Sequence, residues 1–198
     1  EASVERVDVP LYVALEWVEA HCVITSGEGV VPFRFTDEQL AFTAGHYLVA
    51  AGAKRGMLAP AFVHRRSQLV RAQKWGKSPL QAALVCLEAA GPAVFDGWAV
   101  GGEVYACADN GCPCGWEYVF QPEEPLGRRW TVPIIQIVAT SEGQTDNVYG
   151  LLRDMINLGP LARVLPKTGE DVIRIPAVSY THLTLPTTPH VSLSAGDV

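Results

Sequence analysis

The stretch Arg71–Leu80, "RAQKWGKSPL", decides how this chain is read. Set against the phosphate-binding pattern G-x-x-x-x-G-K-[ST], Gly76, Lys77 and Ser78 fill the last three positions, and Arg71 stands where the first glycine belongs. Such a loop works because backbone N–H groups of a tight turn surround a β-phosphate beside a helix N-terminus. The lysine adds a point charge at the β/γ-phosphates, and the hydroxyl ligates Mg²⁺. The context that supports it is a strand before and a helix after. "FVHRRSQLVRA" predicts a strand over about Ser67–Ala72, and "AQKWG" a loop. "KSPLQAALVCLEAAG" predicts a helix over about Lys77–Ala90, apolar nearly all round and therefore buried. Pro79 is tolerated there because the first helical turn needs no intrahelical donor. A Gly-Lys-Ser triplet by itself also occurs in ordinary surface turns, so a decorative turn is the alternative.

Working outward, "PLYVALEWVEAHCVI" has helical periodicity with Pro10 near its start. "FTDEQLAFTAGHYLVAAG" begins with Thr36 as N-cap, followed by Asp37 and Glu38, and is expected to end at Gly52 or Gly56. "EVYACADNGCPCGWEYVF" reads as a hairpin with an irregular turn. "TVPIIQIVAT", Thr131–Thr140, is a continuous apolar run, as in a strand covered on both faces, and a helix ending at Gly159 follows it. Two strand–helix successions imply an α/β fold with a parallel sheet.

The chain has 198 residues, 48% hydrophobic and 18% charged, which suits one globular domain and excludes compositional disorder. No apolar run reaches the ~18 residues of a membrane span, and no signal-peptide pattern is visible. The first residue is not methionine, so the start is expected to be cut. The net charge of −6 argues against a dedicated DNA-binding surface. Yet Gln39–Leu87 contains no Asp or Glu while holding Lys54, Arg55, Arg65, Arg66, Arg71, Lys74 and Lys77. That basic segment fits either an anionic ligand such as phosphate or acids elsewhere in the fold.

Cys22, Cys86, Cys107, Cys112 and Cys114 are an odd set with no secretory signal, which fits a reducing compartment. The spacing Cys107-x₄-Cys112-x-Cys114 invites zinc, but structural zinc takes four ligands, Asp109 is a poor fourth, and no histidine is near in sequence. Small thiols at a hairpin tip are the preferred reading. His21, His46 and His64 read as packing or surface residues. Trp17, Trp98, Trp116 and Trp130 read as core, whereas Trp75, inside the loop, either covers the phosphates or packs the loop down.

The runs "FRFTDEQLAFTAGHYLV", "RRSQLVRAQKWGKSPLQAALVCLEA" and "IIQIVATSEGQTDNVYGLLRDMI" resemble the large terminase subunit of tailed bacteriophages, the DNA-packaging motor ATPase, over most of residues 30 to 176. The resemblance implies a partial P-loop NTPase domain of the RecA-like (ASCE) type, with a mostly parallel sheet flanked by helices and a Cys-containing hairpin insertion. It implies ATP and Mg²⁺ as ligands, with Lys77 on the β/γ-phosphates, Gly76 shaping the loop and Ser78 on Mg²⁺. In that family the loop often lacks its first glycine and carries a basic residue in the approach. Here Arg71, Gln73 and Lys74 occupy that approach, and which basic side chain reaches the γ-phosphate stays open. The resemblance also makes Gln39 an adenine reader, against a plain helix-surface role. Ser141 and Gln144, after the apolar run, are candidates for lining the site, against simple helix N-capping by Thr140 or Ser141. Implied partners are double-stranded phage DNA, the portal protein and a small terminase subunit, with a homo-oligomeric ring in the cytoplasm of the infected host.

The last residues change character. "SYTHLTLPTT" resembles the translation of a transposase-type sequencing adapter, so residues 177–198 are expected to be a non-native, disordered tail and 1–176 the natural part. An ordinary polar tail is the alternative. An ATPase of this type also needs an acidic Mg²⁺ partner at the end of an apolar strand and a glutamate that activates water. "AVFD" to Asp96 and "VYACAD" to Asp109 are the nearest imitations, and the resemblance places the real pair, and a nuclease domain, beyond residue 176. This stretch alone is therefore expected to bind ATP without useful turnover. The rival readings are another P-loop NTPase, helicase-like or signalling, and a non-catalytic α/β interaction domain.

Overall fold

The structure is a computed structural model that describes residues 6–138, 142–166, 168–169 and 172–176. At its centre is α3, Lys77–Ala90, which begins and ends where the sequence pattern places it. α1, Tyr12–His21, and α4, Glu142–Asn157, both pack on it. The shared core includes Trp17 and Val18 of α1, Leu80, Ala83 and Leu87 of α3, and Leu152, Met155 and Ile156 of α4. Each large side chain fully buried this way contributes roughly 1.5–3 kcal/mol. Gly91 ends α3 because the indole of Trp17 needs the space. A Cβ there would lie 2.8 Å from the Trp17 ring and 2.7 Å from Leu87 Cδ1.

Thr36 caps α2, Asp37–His46, as its sequence predicts, in a full capping box. Gln39 N donates to the Thr36 hydroxyl, and Thr36 N donates to Gln39 Oε1. The helix stops at His46 rather than at Gly52 or Gly56, because the next residues leave it for a sheet. There β4, Leu48–Val49, pairs with β1, Val9–Pro10. Tyr47, at the turn, buries its ring and donates its hydroxyl to Glu88 of α3.

The fold mixes helices and strands, but its ladders are antiparallel. Besides β1–β4, these are β2, Val23–Ser26, with β3, Gly29–Pro32; β5, Val94–Trp98, with β8, Pro125–Arg128; and β6, Val104–Ala106, with β7, Glu117–Val119. The β6–β7 pair is the expected hairpin. The expected parallel sheet does not form among the described residues. Segments 67–72 and 131–138 run without a ladder there. The second is covered on one face only, not on two: Val132, Ile134 and Val138 are exposed, while Ile135 and Ile137 pack against the core. Exposure alternates along it as along a strand, but no ladder pairs it among the described residues. The tail, residues 177–198, lies outside the described residues, as do Thr140 and Ser141 and the side chain of Gln144.

Candidate functional site

The loop before α3 is held from below by the start of α2. Gly76 is the N-cap of α3 and is left-handed at φ +95°. A Cβ there would lie 2.8 Å from Gln39 Nε2. Glycine is therefore required twice, by the backbone angle and by the close approach. Lys74 is left-handed too, at φ +67°, so the chain reverses sharply between the approach and the helix.

The Lys77 side chain folds back over the turn. Its ammonium donates to the carbonyls of Arg71, at 2.9 Å, and Ala72, at 2.7 Å. The loop thus closes around a point charge facing its own entrance. Residues 73–74 form a turn that directs Trp75 N–H back to the Ala72 carbonyl, while the other N–H groups of residues 73–78 have no protein acceptor outside α3 among the described residues. Together with the positive end of the α3 dipole, those donors favour an anion. Ser78, half-buried in the first turn, sits one residue further in.

Glu38, which the sequence marks only as a first-turn acid of α2, anchors the approach. Trp75 Nε1 donates to Glu38 Oε2 at 2.8 Å, and Arg71 Nε donates to the same oxygen at 3.3 Å. The Arg71 guanidinium lies 5.7 Å from the Trp75 ring centre. These two hydrogen bonds, the indole's first, hold the Glu38 carboxyl below the usual carboxylate range. Trp75 accordingly packs the loop down rather than standing over it.

Gln39 meets the loop from the same side. Its Oε1 accepts from Thr36 N and its Nε2 donates to Trp75 O, at 3.4 Å, in a buried position. Both ends of the amide are engaged with backbone, so the structure gives Gln39 a loop-supporting position. Gln39, Arg71, Trp75, Gly76 and Lys77 are brought together, whereas Gln73 and Lys74 stand exposed at the tip.

The acidic imitations are occupied elsewhere. Asp96 pairs with Arg55, at 3.1 Å, and with Arg128, at 3.4 Å. Asp109 lies in the hairpin turn. Among the described residues, no carboxylate is hydrogen-bonded to Ser78. Part of the basic segment thus answers acids inside the fold, through Arg55 and Arg71, while Lys54, Arg65, Arg66 and Lys74 form no ion pair among the described residues.

A correction concerns the cysteines. A histidine does stand beside them, brought from α1. His21 Nε2 is 3.1 Å from Cys114 Sγ and 3.3 Å from Cys107 Sγ. The separation of 86 residues from Cys107 hides it from any reading by spacing.

No family model, curated protein or solved structure matches this chain. Among the described residues no helix is long and apolar enough to cross a membrane.

Proposed function

We propose that the chain is the ATP-binding half of a phage terminase large subunit, a P-loop NTPase domain of the RecA-like type. One observation carries the reading: a left-handed Gly76 at the cap of the buried α3, with Lys77 folded back over the turn that leads into it. A decorative surface turn has no need of a glycine jammed against a buried glutamine, nor of a lysine drawn inward.

In this reading Lys77 exchanges the carbonyls of Arg71 and Ala72 for the β/γ-phosphates of ATP. The N–H groups of residues 73–78 give the remaining phosphate contacts. Ser78 offers its hydroxyl to Mg²⁺, which when bound neutralises charge on the phosphates. Gly76 lets the backbone come close, and Gln39 and Glu38 fix the loop from beneath. Arg71 is tied to Glu38, so Lys74 is the freer basic group for the γ-phosphate.

Among the described residues no acidic Mg²⁺ partner or water-activating glutamate accompanies this set, so in this reading the chain binds ATP without useful turnover. In this reading the whole family protein works on double-stranded DNA at a portal ring, with a small terminase subunit, in the host cytoplasm.

Calorimetric titration of Mg–ATP into the wild type and Lys77→Ala tests the reading, with circular dichroism confirming that both are folded. Binding by the wild type and at least tenfold weaker binding by the variant is expected, because the variant loses a charge–phosphate contact. Equal, negligible binding by two folded proteins would overturn it and favour an α/β interaction domain. A second expectation concerns turnover: robust ATP hydrolysis by this chain, lost in Lys77→Ala, would contradict the account of the missing acids.

A further inference from the structure

His21 closes α1, while Cys107, Cys112 and Cys114 lie in the turn between β6 and β7. Their four donor atoms all lie within 4.8 Å of one another. Zn–S bonds near 2.3 Å and Zn–N bonds near 2.0–2.1 Å place tetrahedral donors roughly 3.5–3.8 Å apart. The constellation is therefore within about 1 Å of a closed tetrahedron.

The surroundings prepare these groups as ligands. His21 Nδ1 is 2.9 Å from the carbonyl of Trp17, which can only accept. Nδ1 must then carry the proton, leaving the lone pair of Nε2 facing the sulfurs, as in metal-bound histidines. The ring is buried, stacked on Trp17 at 4.4 Å, with Trp116 edge-on at 5.4 Å. Trp116 N donates to Cys114 Sγ at 3.4 Å, which holds that sulfur in the turn. Gly111 and Gly115, each at φ +79°, supply the left-handed turns that curl the sulfurs inward. Cys107 and Cys112 are buried, and exposed Cys114 leaves an entry path.

We infer that His21, Cys107, Cys112 and Cys114 form a structural Zn²⁺ site that fastens the β6–β7 hairpin to α1. Three thiolates and an imidazole are soft donors that suit zinc over magnesium or calcium, and four protein ligands leave no open position for chemistry. Loading releases the three thiol protons to solvent and leaves a centre of net charge −1. Buried Arg129 donates to the carbonyl of Asn110, in the same turn, at 3.2 Å, and to that of Ala89 at 3.3 Å. A buried cation beside the turn offsets that negative charge. Because α1 packs on α3, the ion would join the hairpin to the helix that carries the phosphate loop.

The test is metal analysis of the full chain, expressed with zinc supplied and dialysed. One zinc per chain is expected, and Co²⁺ exchange should give the visible thiolate-to-cobalt absorption of a tetrahedral site. Cys114→Ser should lose the metal or weaken its retention at least tenfold, as removal of one of four ligands requires. Cys86→Ser, at a buried cysteine outside the cluster, should hold it fully. Should Cys114→Ser not fold, the wild-type cobalt spectrum decides. A folded wild type without zinc and without that absorption overturns the proposal, as does a native disulfide among the three cysteines.

Discussion

Gly76 bears two separate constraints, and they can be measured apart. Placing an alanine at φ +95° costs roughly 1–2 kcal/mol from backbone sterics alone. The new methyl would also push Gln39 Nε2 from Trp75 O. Urea unfolding of Gly76→Ala, Gln39→Ala and the double variant forms a cycle. A smaller loss for Gly76→Ala in the Gln39→Ala background is expected, and strict additivity would show that the contact carries nothing. Glu38 gives a pH signature. Its carboxyl, normally near 4.5, is held lower by Trp75 and then by Arg71. The unfolded chain therefore takes up the proton first. The stabilisation is complete above the unfolded value and is lost as pH falls through the lower folded value. Indole emission followed through that acid range should show a step in the wild type that Glu38→Gln lacks; identical titrations would remove Glu38 from the loop's support. Gly76, Lys77 and Trp75 are legible together in the sequence because one contiguous motif carries them. Glu38 as an anchor and His21 as a neighbour of the cysteines are not, since both depend on contacts between distant parts of the chain.

The elements differ in how far local chemistry determines them. α3 was legible to the residue, because Gly76 and Gly91 bracket an apolar helical run and leave no competing end. The start of α2 was equally legible from Thr36, yet its end was not: pairing of Leu48–Val49 with Val9–Pro10 stops it well before the glycines. The capping box has a consequence beyond α2, since Gln39 belongs to both the box and the loop. Thr36→Ala should cost about 1 kcal/mol in thermal or urea unfolding. It should also weaken nucleotide binding, which a cap confined to its own helix would not do. The apolar run at 131–138 misled in a different way. Hydrophobicity alone counts residues without saying which are covered, and here only alternate ones are. Ile134→Lys should leave stability nearly unchanged, whereas Ile135→Lys, aimed at the core, should cost about 1–3 kcal/mol. Equal effects in chemical denaturation would contradict the one-faced arrangement.

At the scale of the molecule, the loop caps the central one of three packed helices, and the described ladders are all two-stranded antiparallel pairs. α1 and α4 cover α3, and an apolar cavity of about 360 Å³ lies between α3, α4 and residues 133–137, lined by Val85, Ile135, Leu152 and Ile156. Segments 67–72 and 131–138, which precede α3 and α4, are where a parallel sheet of the proposed kind needs strands. Among the described residues none of their backbone N–H groups is hydrogen-bonded. An unpaired, alternately apolar segment such as 132–138 is costly and invites pairing. Amide exchange separates the possibilities. In the 198-residue chain the amides of residues 132–138 should exchange nearly as fast as in a free peptide, while those of Cys86 and Leu87 in α3 should require large-scale opening. A variant extended after Pro176 by an apolar strand that ends Asp-Glu should slow exchange at 132–138 at least a hundredfold if that strand pairs with this segment, because pairing turns local exposure into cooperative opening. If these amides are already slow in the shorter chain, its edges are satisfied without a further strand. The P-loop architecture would then lose its structural argument, and Gly76–Ser78 would have to be judged on nucleotide binding alone.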